Sequence, residues 1–152
     1  LFDGINNYLN KSFTLNQPYV IYIAAKQITW TSGNVLIDGY SATAKISQTG
    51  SSPNIRFNNG FDNFDNTNLQ LDTFGIIRLV VNGWSTKLYI NNGTSPSGNG
   101  GTTNPGGLFL GSDRNGLNKS NIKVKGLIVR KISDTPGDQT IIREFLNTKY
   151  SI

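Results

Sequence analysis

Hydrophobic positions along this chain fall into short runs separated by turn signals. Extended, apolar or alternating segments are expected at 5–9, 12–15, 19–26, 34–37, 40–46, 54–57, 74–82, 87–91, 107–111 and 122–132. Between them stand Asp38-Gly39, Asn59-Gly60, Asn82-Gly83, Asn92-Gly93 and Asn115-Gly116, dipeptides that suit tight hairpin turns or bulged loops. Many short strands at this spacing predict a sandwich or barrel. The clearest hairpin joins the near-continuous apolar run Ile76 to Val81, expected to lie centrally, to Lys87-Leu88-Tyr89-Ile90. In 122–132 the early half alternates Lys with Val, and Gly126 marks an expected bulge where the pattern changes.

The C-terminus changes period. Ile141, Ile142, Phe145 and Leu146 form one apolar stripe at helical spacing. Asp138 is the expected N-cap, and Lys149 suits the negative end of the helix dipole. The expected helix packs on the sandwich. The glycine-rich stretch 95–107 would pass for a linker in isolation, but strand-like sequence on both sides predicts a long loop within one domain. Residues 1–152 are thus expected to form a single all-β domain, a two-sheet antiparallel sandwich with one short C-terminal helix.

Composition narrows the chemistry. There is no Cys, His or Met. Catalytic arrangements built on His or Cys, and thiolate or histidine metal sites, are therefore excluded within the chain. The acidic residues are eight Asp and a single Glu, Glu144, so carboxylate chemistry is thin and the chain is expected not to be an enzyme. Asn, Gly, Thr and Ser make up 64 of the 152 residues, while charged residues are 15%, which implies a surface kept soluble by neutral hydrogen bonding. The net charge is +5, but Lys and Arg are scattered without a basic stripe, so no nucleic-acid partner is expected. No apolar run approaches the ~18 residues that span a bilayer, so no membrane insertion is expected. The chain opens on Leu1, as expected for an excised domain or a processed chain.

Several segments taken together resemble the laminin-G-like, concanavalin-A-like jelly-roll superfamily. Phe2-Asp3-Gly4-Ile5-Asn6-Asn7-Tyr8-Leu9 resembles its first strand, and Pro18-Tyr19-Val20-Ile21-Tyr22-Ile23 its second. Leu88-Tyr89-Ile90-Asn91-Asn92-Gly93 is similar to its "LYVNG" strand and turn, and Gly107-Leu108-Phe109-Leu110-Gly111 to its "GxLxLG" strand. The run Ile142-Arg143-Glu144-Phe145-Leu146-Asn147-Thr148-Lys149-Tyr150 resembles its closing helix. No one of these motifs is specific; their order over residues 2–150 carries the resemblance. It implies a jelly-roll fold and an extracellular, cell-surface or virion setting, of the kind found in bacterial extracellular and bacteriophage structural proteins. It does not fix a function, because the fold hosts lectins, glycan-active enzymes and structural modules. The Glu-x-Asp-x-x-Glu strand of the glucanase relatives is missing, and the alginate-lyase relatives depend on a His this chain lacks.

The function expected on these grounds is a non-catalytic glycan- or polysaccharide-binding or adhesion module. The alternative is a structural domain that contacts only other subunits of its assembly. Sugar binding needs exposed aromatic faces and planar polar groups. The candidate ligand-binding residues are Trp84, Phe61, Phe64, Asn63, Asp62, Trp30 and Tyr40, with the segment 58–66 interleaving aromatics, amides and carboxylates. Plainer expectations stand beside them: Phe61 and Phe64 as loop anchors in the core, Trp84 as a lid at the sandwich edge, Trp30 in a core-facing strand. No cofactor is expected. Calcium is the alternative, with Asp62 and Asp65 as its candidate ligands, although Asp in turns usually caps its own backbone. Lys123, Lys125 and Lys131 fit protection of a strand edge better than an anionic polymer site.

Overall fold

In a computed structural model the chain is described over residues 1–60, 63–131 and 134–152, with the backbone alone at Asn63 and Phe64. Among these residues the strands are β1 (Phe2–Asp3), β2 (Leu9–Ser12), β3 (Tyr19–Gln27), β4 (Val35–Gly39), β5 (Lys45–Gln48) and β6 (Ile55–Asn58). They continue with β7 (Asn63–Asn66), β8 (Gly75–Val81), β9 (Thr86–Ile90), β10 (Ser97–Gly98), β11 (Gly107–Leu110) and β12 (Asn121–Arg130). A single 3-10 turn spans Gly83–Ser85, and helix α1 spans Pro136–Tyr150. The strands form two six-stranded antiparallel sheets, ordered β1-β12-β3-β8-β9-β10 and β2-β11-β4-β5-β6-β7. This is the expected jelly-roll sandwich with one C-terminal helix.

Register explains how the core is built. In the second sheet Leu9, Leu110, Ile37, Ile46, Phe57 and Phe64 stand in one row across all six strands. Ile37, Ile46 and Phe57 from that row are fully buried against Tyr19, Ile21, Ile23, Ile77, Leu79 and Leu88 of the first sheet. Strand β3 alternates between two apolar environments, because its odd residues face this core while Val20, Tyr22 and Ala24 face α1. A strand covered on both faces reads as a continuous apolar run, which is why 19–26 carries no polar alternation.

The bulge falls where Gly126 predicts it. Val124 pairs with Ala25 and Gly126 with Ala24, so Lys125 is the extra residue. The parity of β12 changes there: Ile122 and Val124 pack on the inter-sheet core before it, Val129 after it, and Ile128 turns to the helix side. Glycine is required by a close approach as well, since a Cβ at 126 would stand 2.6 Å from the Tyr150 ring.

Four local expectations are corrected. The segment 5–9 is a strand only at Leu9, where β2 begins, because Asp3 Oδ1 accepts from the backbone N–H groups of Ile5 (2.9 Å) and Asn6 (3.2 Å) and bends the chain over 4–6. The segment 12–15 is extended only at Ser12, where β2 ends. The strand expected at 40–46 begins only at Lys45, because Asp38 Oδ1 draws in the N–H groups of Gly39 (2.8 Å) and Ala44 (3.1 Å) and loops out what lies between. The helix starts at Pro136 with Thr135 as its N-cap, and Asp138 closes a capping box from the third position.

The helix stripe is also rotated from its expected centre. Ile142, Leu146 and Tyr150 pack on the sheet, while Ile141 and Phe145 are exposed. Beneath the helix N-terminus, Asp134 is buried and held by Arg130 (2.7 Å) and by the Tyr22 hydroxyl, which donates to it at 2.7 Å. Burial first, and that hydrogen bond second, push the Tyr22 hydroxyl far above its ordinary range. No described helix is long and apolar enough to cross a membrane.

Candidate functional site

One end of the sandwich gathers the loops that carry most of the candidate residues. Tyr19 pairs with Val81, so the entry to β3 and the exit of β8 lie side by side at this end. Gln17 is the junction. Its side-chain oxygen accepts from Gly83 N (2.8 Å), its side-chain nitrogen donates to the Thr103 carbonyl (3.0 Å), and its backbone N–H donates to Asn104 Oδ1 (3.0 Å). The Gly83 carbonyl in turn accepts from Gly100 N (2.7 Å) and from the buried Thr86 hydroxyl (2.9 Å). Gly100 must be glycine for this lacing, because a Cβ there would fall 1.9 Å from Thr86 Oγ1.

The product of this lacing is the placement of Trp84. The indole sits on the turn pinned at Gly83 and is 83% exposed. The lid expectation for Trp84 is therefore replaced by a projecting ring on a braced turn.

Neighbouring loops join the same end. Asn59 Nδ2 donates to the Asn99 carbonyl (3.5 Å), next to Gly100. Ser41 is tied to the Pro105 carbonyl through its backbone N–H (2.8 Å) and its hydroxyl (3.1 Å), which brings the Tyr40 loop to the same rim. Tyr40 is 39% exposed and lies against Phe109, 5.5 Å between ring centroids, and Tyr8 stacks on Phe109 as well at 5.8 Å. Trp30 is at the opposite end, in the loop after β3, where its indole N–H donates to the Asn54 carbonyl (2.9 Å). It is neither in a strand nor near Trp84.

The segment expected to be an aromatic and amide loop is partly a strand. Asn63, Phe64, Asp65 and Asn66 form β7 at the edge of the second sheet, with Phe64 in register with Phe57 and Asn63 with Asn58. Phe61 and Asp62 lie outside the described residues. Asp65 meets Arg56 in a two-point ion pair, Nε to Oδ1 at 2.6 Å and Nη2 to Oδ2 at 3.1 Å. The hydrogen bond it donates to Asp65 raises the Arg56 guanidinium above its ordinary range. This pairing engages both oxygens of the carboxylate that had been the described half of the calcium expectation. No three acidic side chains converge on a cation-sized space among the described residues.

The outer face of the second sheet is polar where it is open. Ser47, Arg56 and Asp65 occupy one row, and Lys45, Asn58 and Asn63 another. The loop 111–120 is tied to β4. Asp113 accepts from Leu117 N (2.9 Å), Asn115 N (2.9 Å) and Asn118 Nδ2 (2.7 Å), and Asp38 Oδ2 takes Arg114 N (3.2 Å). Burial alone would raise the Asp113 carboxyl, but these donors outweigh it and hold it below the usual range. The sequence reading missed Gln17, whose role depends on three contacts more than 60 residues away in the chain and has no local signal.

By sequence the chain matches no family model and no curated protein. By structure it is similar to many solved chains. A Trypanosoma rangeli sialidase in complex with sialic acid aligns over 98% of this chain at 12% identity and a TM-score of 0.66. The chain spans 27% of that sialidase's length. A human galectin-16 variant aligns over 86% of this chain and 99% of its own, at 12% identity and a TM-score of 0.56. The alginate lyase AlgAT5, of polysaccharide lyase family 7, aligns over 79% of this chain and 62% of its own, at 13% identity and a TM-score of 0.50. At such identities the likeness concerns the fold alone: the chain shares with these proteins a two-sheet antiparallel jelly-roll β-sandwich. It also corrects the expectation, drawn from composition, that the chain is not an enzyme, because this architecture is found in a sialidase and a lyase as well as in a galectin.

Proposed function

We propose that this domain binds carbohydrate through the loop end that carries Trp84, as part of an extracellular, cell-surface or virion assembly. The observation that carries the proposal is a tryptophan 83% exposed on a turn braced by Gln17 and Gly100. A solvent-facing indole on a braced turn offers an apolar plane to the C–H face of a sugar ring, with the backbone beneath it already ordered. The side-chain and main-chain amides of the surrounding Asn, Thr and Ser loops supply paired donors and acceptors for hydroxyls. Tyr40, Asn59 and the segment through Asn63 and Phe64 border the same end, and Asp62, between them in the chain, belongs to the same proposal. Fold neighbours that include a galectin and a sialidase bound to sialic acid support a glycan as the ligand class.

A glycan-array screen of the folded domain tests this reading, followed by titration of any hit against Trp84→Ala. Binding that is lost in the variant supports the proposal. Silence over neutral and acidic panels overturns it.

A second reading is favoured by one observation. Between β2 and the edge of β12 the sandwich is open, and Leu9 and Leu127 are exposed there beside Phe13, Leu108 and Leu110. An apolar seam of this kind suits contact with other subunits of an assembly. Imaging the domain within its parent particle distinguishes the two, since the structural reading requires this seam to be covered.

A further inference from the structure

Helix α1 does not seal the outer face of the first sheet completely. A cleft of about 260 Å³ remains between its C-terminal half and the β8–β9 hairpin, lined by Phe74, Ile76, Asn91, Asn92, Arg143 and Asn147, with Ile152 closing one side. A narrow continuation runs on under the helix to Tyr22, Arg78 and Gln139. The cleft lies on the helix-covered face of the sandwich and shares no residue with the Trp84 loops.

Its charge is one-sided. Arg143 is half-buried, and its polar partner is the neutral side-chain oxygen of Asn92. Arg78 contacts the neutral side-chain oxygen of Gln139 (2.5 Å) and stacks on Tyr89 at 3.6 Å, and its buried Nε has no acceptor. Among the described residues neither arginine forms an ion pair, whereas Arg56 and Arg130 each have a carboxylate. Lys125 adds a further cation 4.1 Å over the Phe74 ring, and Lys26 stands 5.5 Å over the same ring with Asp72 as its partner. The buried carboxylate of Asp134, bonded to Tyr22 under the helix, is already taken by Arg130 as well.

Two cations without counter-charges beside an open cleft raise the potential for an anion there. The guanidinium fork favours a planar carboxylate over a spherical ion. The remaining lining sets the body of the ligand. Phe74, Ile76 and Ile152 give an apolar floor, and three asparagine amides give hydroxyl partners around it. The volume of about 260 Å³ suits a ligand portion of about one ring.

We infer that this cleft is a second binding site, for a small hydroxylated carboxylate of sugar-acid size, with Arg143 gripping the carboxylate. Arg78 acts from beneath as a fixed positive charge and does not touch the ligand. The site is independent of the Trp84 end and stands or falls separately.

The test is an NMR titration of the isotope-labelled full chain with sodium glucuronate, and with glucose and acetate in parallel. Glucuronate shifts the Arg143 Nε–H and the side-chain amides of Asn92 and Asn147 saturably, and the other two probes do so at least roughly tenfold more weakly. Arg143→Gln removes the response, Arg143→Lys keeps part of it, and Trp84→Ala leaves it unchanged. Absence of saturable shifts at these residues in the wild-type chain overturns the inference. So does equal binding of acetate, which marks an adventitious carboxylate only, or of glucose, which marks a site blind to charge. A full response in Arg143→Gln overturns it too.

Discussion

The side-chain oxygen of Gln17 accepts a hydrogen bond from the backbone N–H of Gly83 at 2.8 Å, joining the entrance of β3 to the turn that carries Trp84. The same side chain donates to the Thr103 carbonyl, so one amide fastens three loops. The brace and the indole it presents separate cleanly on mutation. Trp84→Ala removes an exposed ring and should leave stability within about 0.5 kcal/mol of wild type while abolishing glycan binding. Gln17→Ala should cost about 1 kcal/mol from lost hydrogen bonds and weaken binding with Trp84 still present. Thermal unfolding and glycan titration of both variants check this. Tight binding by a Gln17→Ala chain whose turn has loosened would show that bracing is irrelevant.

Gly126 and Tyr150 give a second handle, because the helix end rests where a side chain on β12 would otherwise stand. A Cβ at 126 meets two ring carbons and the hydroxyl oxygen of Tyr150 at 3.0 Å or less. Gly126→Ala should therefore destabilise the domain by about 1–3 kcal/mol through overpacking. The double variant with Tyr150→Ala should recover part of that loss relative to Tyr150→Ala alone. Denaturant unfolding of the four chains forms the cycle, and strictly additive effects would remove the proposed contact.

The two handles also mark how far the sequence was legible. The bulge at Gly126, the β8–β9 hairpin and the packed C-terminal helix were all visible, because each follows from periodicity or turn chemistry within a few residues. The single row from Leu9 through Ile46 and Phe57 was implicit in the alternation, although which strands adjoin was not. What stayed hidden depends on long-range hydrogen bonds. The Asp3 turn replaced a strand whose residues alternate well, and Asp38 looped out 40–44 although its sequence looks extended. The edge strand β7 resembles a loop in sequence because its polar residues suit solvent, and only pairing with β6 makes it extended. At the candidate site, Trp84 was named from its place after a turn, whereas Gln17 carries no local mark of its role.

Acid should unfold the domain over a defined range. Asp113 is held below its usual range because, although burial raises it, donors from Leu117, Asn118 and Asn115 prevail. Asp3 is lowered chiefly by Ile5 N–H, Asp72 by Lys26 and Asp138 by Thr135. A folded-state value below the unfolded one means stability present above the unfolded pKa and lost as the pH falls through the folded one. With no His in the chain, the thermal midpoint should be flat from about pH 8 to pH 5 and decline below about pH 4. Asp113→Asn should flatten that decline and lower the midpoint at neutral pH. A midpoint that instead drops between pH 7 and 5 would contradict this assignment.

Phe145 and Leu146 are adjacent in the chain and opposite in consequence. Both belong to the apolar stripe expected for the helix, yet Leu146 is 1% exposed against Val20, Tyr22 and Ile76 while Phe145 is 50% exposed. The difference comes from the helical period: adjacent residues point about 100° apart, so with Ile142, Leu146 and Tyr150 on the sheet Phe145 turns to solvent. Leu146→Ala should cost about 2–4 kcal/mol, the range for a buried leucine whose site cannot fully collapse. Phe145→Ala should stay within about 0.5 kcal/mol of wild type. Chemical denaturation of the two variants measures the contrast directly. Equal losses would mean that Phe145 is buried in solution, by a rotated helix or a covering surface.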